Sequence, residues 1–123
     1  KPVELNEHGN NAAIKVHILD NATMELNGFR WVNEHWYVCK HVFGDITFNM
    51  TIFSEDNWQI DILDENFLQP YDYQYMWEKA VEADKPLSEV PPAMVITDWN
   101  VTKIMKSLKK AGIISGWEVG DYV

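Results

Sequence analysis

Three consecutive stretches between Trp36 and Ile62 constrain the fold more than any other feature of the chain, because two of them alternate strictly between apolar and polar residues. In Ile46 to Phe53, Ile46, Phe48, Met50 and Ile52 point one way and Thr47, Asn49 and Thr51 the other. Trp58, Ile60 and Ile62 repeat the pattern against Gln59 and Asp61. A period of two belongs to a strand with one dry face and one wet face, since successive side chains leave opposite sides of the pleat. Gly44-Asp45 and the polar run Ser54 to Asn57 are too short to carry a crossover, so Trp36 to Phe43, Ile46 to Phe53 and the Trp58 stretch are expected as antiparallel neighbours. Such a sheet needs a second layer over its dry face.

The flanks extend this pattern. Ala13 to Leu19 alternates with Ile14, Val16 and Ile18 on one side and reads as a further strand, followed by a turn at Asp20-Asn21. Met24 to Leu26 and Phe29 to Val32 flank Asn27-Gly28, a dipeptide that accepts positive φ and favours a type I′ hairpin turn. After Pro70 the period changes. Tyr73, Met76, Trp77, Ala80 and Val81 recur at spacings of three and four, which predicts an amphipathic helix from Asp72 to Ala83 with Glu78 and Glu82 on its wet side. Lys85-Pro86 ends it, and the prolines of Leu87 to Pro92 make a stiff connection. Ala93 to Ile96 is expected as a short strand, with Thr97 or Asp98 capping a second helix. That helix has Val101, Ile104, Met105, Leu108 and Ala111 as its dry face and Gly112 as its left-handed stop. Ile113 to Val119 is expected as a last edge strand.

The expected fold is therefore α+β: an antiparallel meander of about five strands, two helices packed on one face, and a short C-terminal strand. At 123 residues the chain suits a single domain, taken as 13–123 with an N-terminal extension over 1–12. Hydrophobic residues make up 46% and aromatics 13%, well above what a disordered chain carries. No apolar run approaches the ~18 residues that cross a bilayer, and no basic segment leads into a hydrophobic one, so neither an anchor nor a signal peptide is expected. The single cysteine, Cys39, rules out an intramolecular disulfide and points to a reducing compartment, the cytoplasm. Asn21-Ala22-Thr23, Asn49-Met50-Thr51 and Asn100-Val101-Thr102 have the form of glycosylation acceptors, but each also fits an ordinary place in a turn, strand or helix start.

Charge is distributed unevenly. Residues 1–98 carry seventeen acids against six bases, whereas Lys103, Lys106, Lys109 and Lys110 crowd the next segment without an acid among them; the whole chain is at −9. A field of this sign repels nucleic acid and membrane surfaces and favours basic protein surfaces.

Four residues carry the best chemistry. His35, Tyr37, Cys39 and His41 share strand parity and so one face, and Cys39-x-His41 is able to chelate. A structural zinc site needs four ligands and a catalytic one three, and no Cys-x-x-Cys pair supports His35, Cys39 and His41. Nothing local supplies the helix N-terminus or oxyanion donors that would activate Cys39 as a nucleophile beside His41. Carboxylate neighbours such as Glu55, Asp56, Asp61, Asp64 and Glu65 are what nineteen acids produce by abundance, and Asp61 to Asn66 lacks the glycine and the glutamate of a calcium loop. No glycine pattern forms a phosphate cradle. Neither catalysis nor a metal nor a cofactor is expected.

The aromatic content exceeds what one small core holds, and rings with a polar edge are preferred interface anchors. Around the first helix start, Tyr73 belongs to the dry stripe, which leaves Tyr71 and Tyr75 facing outward. With Asp61, Asp64, Glu65, Glu78 and Glu82, these two tyrosines form the expected partner-binding set.

Met94-Val95-Ile96-Thr97-Asp98-Trp99, followed by Leu108-Lys109-Lys110-Ala111-Gly112-Ile113-Ile114, resembles the tail of small uncharacterised proteins encoded by bacterial phages and conjugative elements. Val101 and Thr102 stand where those proteins usually carry an asparagine and a glutamate. The resemblance implies a mobile-element origin and brings no activity with it. The functional expectation is an acidic, inhibitor-type binding module that masks a basic surface of a partner, as phage anti-defence proteins do. Immunity to a basic nuclease toxin is the neighbouring alternative, and a small enzyme or metal protein around Cys39 and His41 is the alternative from another class.

Overall fold

The computed structural model describes residues 3–123. Five strands form one antiparallel sheet in sequential order: β2 (Arg30–Val32), β3 (His35–Phe43), β4 (Ile46–Ser54), β5 (Asn57–Asp64) and β6 (Gln69–Pro70). A separate two-stranded ribbon pairs β1 (Lys15–Val16) with β7 (Ile114–Ser115). Three helices complete the α+β fold: α1 (Asn21–Leu26), α2 (Tyr73–Glu82) and α3 (Pro92–Ala111). The expected meander is present, and its register follows the alternation: Phe48 lies between Lys40 and Ile62, Met50 between Val38 and Ile60, and Ile52 between Trp36 and Trp58. These residues other than Lys40 are buried and share one core with Met24, Tyr73, Met94, Val101, Met105 and Leu108 of the helices.

The hairpin turn sits elsewhere than expected. Asp20 accepts hydrogen bonds from the Thr23 backbone N–H (3.2 Å) and hydroxyl (2.7 Å), and this N-cap starts α1 at Asn21. Met24 to Leu26 is therefore helix rather than strand, Asn27 ends it, and Gly28 takes φ 92° just beyond. The two-residue turn between β2 and β3 is Asn33-Glu34, both at positive φ (51° and 66°), as a type I′ geometry demands. Glutamate gives little sign of such a turn, whereas Asn27-Gly28 imitates one.

The second helix is longer than expected and begins earlier. Pro91-Pro92 presets the backbone for a helix start, with Pro at the first turn where its missing N–H costs nothing. Ala93 to Ile96 is thus helical, and Thr97 and Asp98 lie inside α3 rather than capping it. Met94, Thr97, Val101, Met105 and Leu108 form its buried stripe, while Ile104 and Ala111 are half-buried at its margin. Gly112 closes the helix at φ 84°, as expected. The alternating segments at either end of the chain pair only over β1 and β7, far less than Ala13 to Leu19 and Ile113 to Val119. Gly116 explains one end of that ribbon: at φ +80° its Cα faces the Ala13 carbonyl so closely that a Cβ would sit 2.1 Å from the oxygen.

β3 and β5, the outer long strands, each have part of the open flank covered. β5 extends beyond the two-residue β6, and there Asn10 imitates a strand: its Oδ1 accepts from the Ile60 N–H (3.0 Å) and its Nδ2 donates to the Ile60 carbonyl (2.9 Å) and the Val123 carbonyl (3.0 Å). At the far end of β3 the register shifts between His41 and Phe43, and the Val42 carbonyl accepts from Asn100 Nδ2 of α3 (2.7 Å). Unpaired strand edges invite foreign strands, and each of these amides occupies one position along an edge.

Candidate functional site

Polar side chains collect on the wet face of the sheet and in a cleft beside α2. On the sheet, strand parity places His35, Tyr37, Cys39 and His41 on one face, as the sequence requires. The Tyr37 hydroxyl donates to Asn49 Oδ1 (2.6 Å), Asn49 Nδ2 to Thr47 Oγ1 (2.8 Å), and Thr47 Oγ1 to Glu65 Oε1 (2.6 Å). Each donor hands on to the next acceptor, and the chain ends on a carboxylate. Burial, followed by the Cys39 thiol, raises the Tyr37 pKa, which keeps this hydroxyl a donor. His41 Nε2 donates to the Gly44 carbonyl (2.9 Å), and the His35 ring lies against Phe53 at 5.1 Å. Among the described residues, no three His, Cys, Asp or Glu side chains gather where they could hold a metal ion. The side-chain amides of Asn49 and Asn100 both donate within the fold, as ordinary strand and helix residues do.

The cleft, of about 600 Å³, lies between α2, the Asp98 turn of α3 and the C-terminal segment. Helical spacing brings Gln74, Glu78 and Glu82 of α2 to it on one line and Trp77 and Val81 on the adjoining one. The C-terminal wall is held by two bonds to the same helix. The Tyr122 hydroxyl donates to Glu78 Oε2 (2.5 Å), and the Val123 N–H donates to Gln74 Oε1 (2.8 Å). Asp98 faces the cleft from α3, and Gly120 and Asp121 close its rim.

Electrostatics differ from an ordinary surface here. Desolvation raises the Asp98 carboxyl above its ordinary value although the residue retains solvent contact. Burial and the Glu78 hydrogen bond push Tyr122 up to about 12. Glu82 meets Lys79 Nζ at 3.3 Å, an exposed pair of small worth that holds Lys79 above its usual range. The Trp77 indole nitrogen is closed off from solvent and makes no hydrogen bond in the structure.

The expected partner-binding residues do not converge. Glu78 and Glu82 line the cleft. Asp61 lies on the wet sheet face, where it accepts from Gln59 Nε2 (2.9 Å), and Glu65 terminates the chain from Tyr37. Asp64 Oδ1 accepts the Asn66 and Phe67 N–H groups (3.0 and 3.4 Å) and so shapes the turn after β5. Tyr73 is buried as expected and Tyr75 is 58% exposed, with Lys79 over its ring at 5.2 Å. Tyr71, expected outside, is half-buried and stacked on Tyr73 at 6.4 Å. Trp77, Asp98 and Tyr122 were not in the expected set. Trp77 could have been found from its position one residue before Glu78, but Asp98 and Tyr122 reach the cleft only through tertiary packing.

No family model matches the chain, and comparison with curated proteins and with solved structures found no match.

Proposed function

We propose that this protein is an acidic binding module that acts in the cytoplasm by masking a basic surface on a partner protein. The supporting observation is how its acids are held. No Asp or Glu residue is buried, and the pairs that Lys79 makes with Glu82 and Lys109 with Glu118 lie exposed. Carboxylates that stay in water project their field outward, where it accelerates encounter with a positive surface. Exposed rings accompany them: Trp31, Tyr75 and Trp99 remain 59%, 58% and 65% accessible. Large rings that stay in water in the free protein slow dissociation once they are covered.

The class of activity that fits is inhibition by occlusion, as in phage anti-defence proteins, with immunity to a basic nuclease toxin as its nearest variant. A mobile-element origin belongs to the same proposal. No observation favours the enzyme alternative: among the described residues, no three His, Cys, Asp or Glu side chains gather at Cys39 and His41. The test is capture of a host partner on the immobilised chain, identification of what is retained, and elution by salt. A retained protein with a basic surface, released as salt rises, supports the proposal; retention of an acidic protein, or elution indifferent to salt, contradicts it.

A further inference from the structure

The α2–α3 cleft joins two properties that few ligands satisfy together. Trp77 and Val81 give it apolar walls, while Glu78, Glu82 and Asp98 place carboxylates around the same hollow. An anion is repelled, a neutral apolar group strands the carboxylates away from water, and a bare metal ion leaves the walls unused. A cation on an alkyl stem meets both demands. Guanidinium fits better than ammonium, because its flat face lies against an aromatic ring and its forked donors reach more than one carboxylate.

We propose that this cleft seats an arginine side chain of the basic partner. The inference rests on the basic-partner reading and adds where the contact is made and by which residue type. Two structural features support it. The Tyr122–Glu78 and Val123–Gln74 bonds fix the C-terminal wall before any ligand arrives, so little ordering is left to oppose binding. The Lys79–Glu82 pair is exposed on both sides and yields readily to a better-placed cation.

The experiment titrates the full ¹⁵N-labelled chain with acetyl-Gly-Arg-Gly-amide and follows the indole N–H signals of its six tryptophans. The citrulline peptide, nearly isosteric but uncharged, and the lysine peptide are the controls. The expected result is a saturable shift of the Trp77 indole and of the Val81 and Asp98 amides, with the citrulline peptide about tenfold weaker or worse and the lysine peptide weaker by a smaller factor. Glu82→Gln combined with Asp98→Asn should weaken the arginine peptide about tenfold while leaving the rest of the spectrum in place. Val81→Arg, at a position 72% exposed, should abolish the shift by filling the cleft with the chain's own cation. Equal binding of arginine and citrulline, lysine binding as tightly as arginine, or shifts that ignore these variants would overturn the inference. Arginine-dependent shifts located elsewhere on the acidic surface would overturn it and leave the basic-partner proposal standing. No shift anywhere would overturn the inference, and salt-indifferent partner capture would then remove the broader proposal as well.

Discussion

On the wet face of the sheet, Tyr37, Asn49 and Thr47 each pass a donor to the next residue until Glu65 accepts the last, whereas Glu78, Glu82 and Asp98 all line the cleft and Glu78 receives a neutral donor from Tyr122. Both surfaces combine tyrosine with carboxylate. In the first, the hydrogen-bonding capacity is largely used within the protein, so the network stabilises the fold and has little left for a ligand. In the second, carboxylates line apolar walls with an exposed, weak Lys79–Glu82 pair and one neutral donor among them, an arrangement that does little for folding and gains from a better-placed cation. Stability and recognition are thus separated between two faces of one small domain.

Removing Asn49 tests this division most severely. The side chain is 6% exposed and holds both neighbours, so Asn49→Ala should cost about 2 kcal/mol or more in chemical denaturation, leaving the Tyr37 hydroxyl without its acceptor. Partner affinity should be unchanged; if stability is unaffected, or binding falls, the two surfaces do not have the separate roles assigned to them. Glu82→Gln with Asp98→Asn should show the reverse: partner association weakened about tenfold, and stability altered by no more than ~1 kcal/mol.

The pH dependence sharpens the contrast at the cleft. Tyr122 ionises near 10 when unfolded and at about 12 when folded, so its contribution is complete below pH 10 and is lost as pH rises toward 12. Alkaline unfolding should accordingly be less steep in Tyr122→Phe, and unchanged steepness would count against the Glu78 bond. Asp98 acts in the same sense at lower pH. Its folded pKa lies above the unfolded value near 3.8, so stability is greatest below that value and declines as pH rises through the folded one. Asp98→Asn should remove that decline, measured by thermal unfolding across the acidic range. The smallest effect is expected on the other face: Cys39→Ser, at an exposed thiol, should shift stability by less than ~0.5 kcal/mol and leave partner binding intact. Loss of binding there would return the sheet face to consideration as the functional surface.

Legibility in the sequence followed the range of the forces involved. β3, β4 and β5 were readable because alternation and turn residues are local, and α2 because its stripe repeats every three or four residues. The errors fell where tertiary context chose between local options. Asn27-Gly28 suits both a hairpin turn and a helix end, and Asp20 with Thr23 selected the helix. Ala93 to Ile96 suits strand or helix, and Pro91-Pro92 with the Met94–Thr97 stripe selected helix. The cleft was half visible: Glu78 and Glu82 were expected to face solvent and partner, but their assembly with Asp98 and Tyr122 spans more than forty residues of chain and left no local trace.

The association rate of the partner with the wild-type chain, measured across a tenfold range of ionic strength, tests the central claim most directly. An exposed acidic surface predicts a rate that falls steeply as salt rises, and more gently in the Glu82→Gln, Asp98→Asn variant. A rate that stays constant with salt in both proteins would contradict the account.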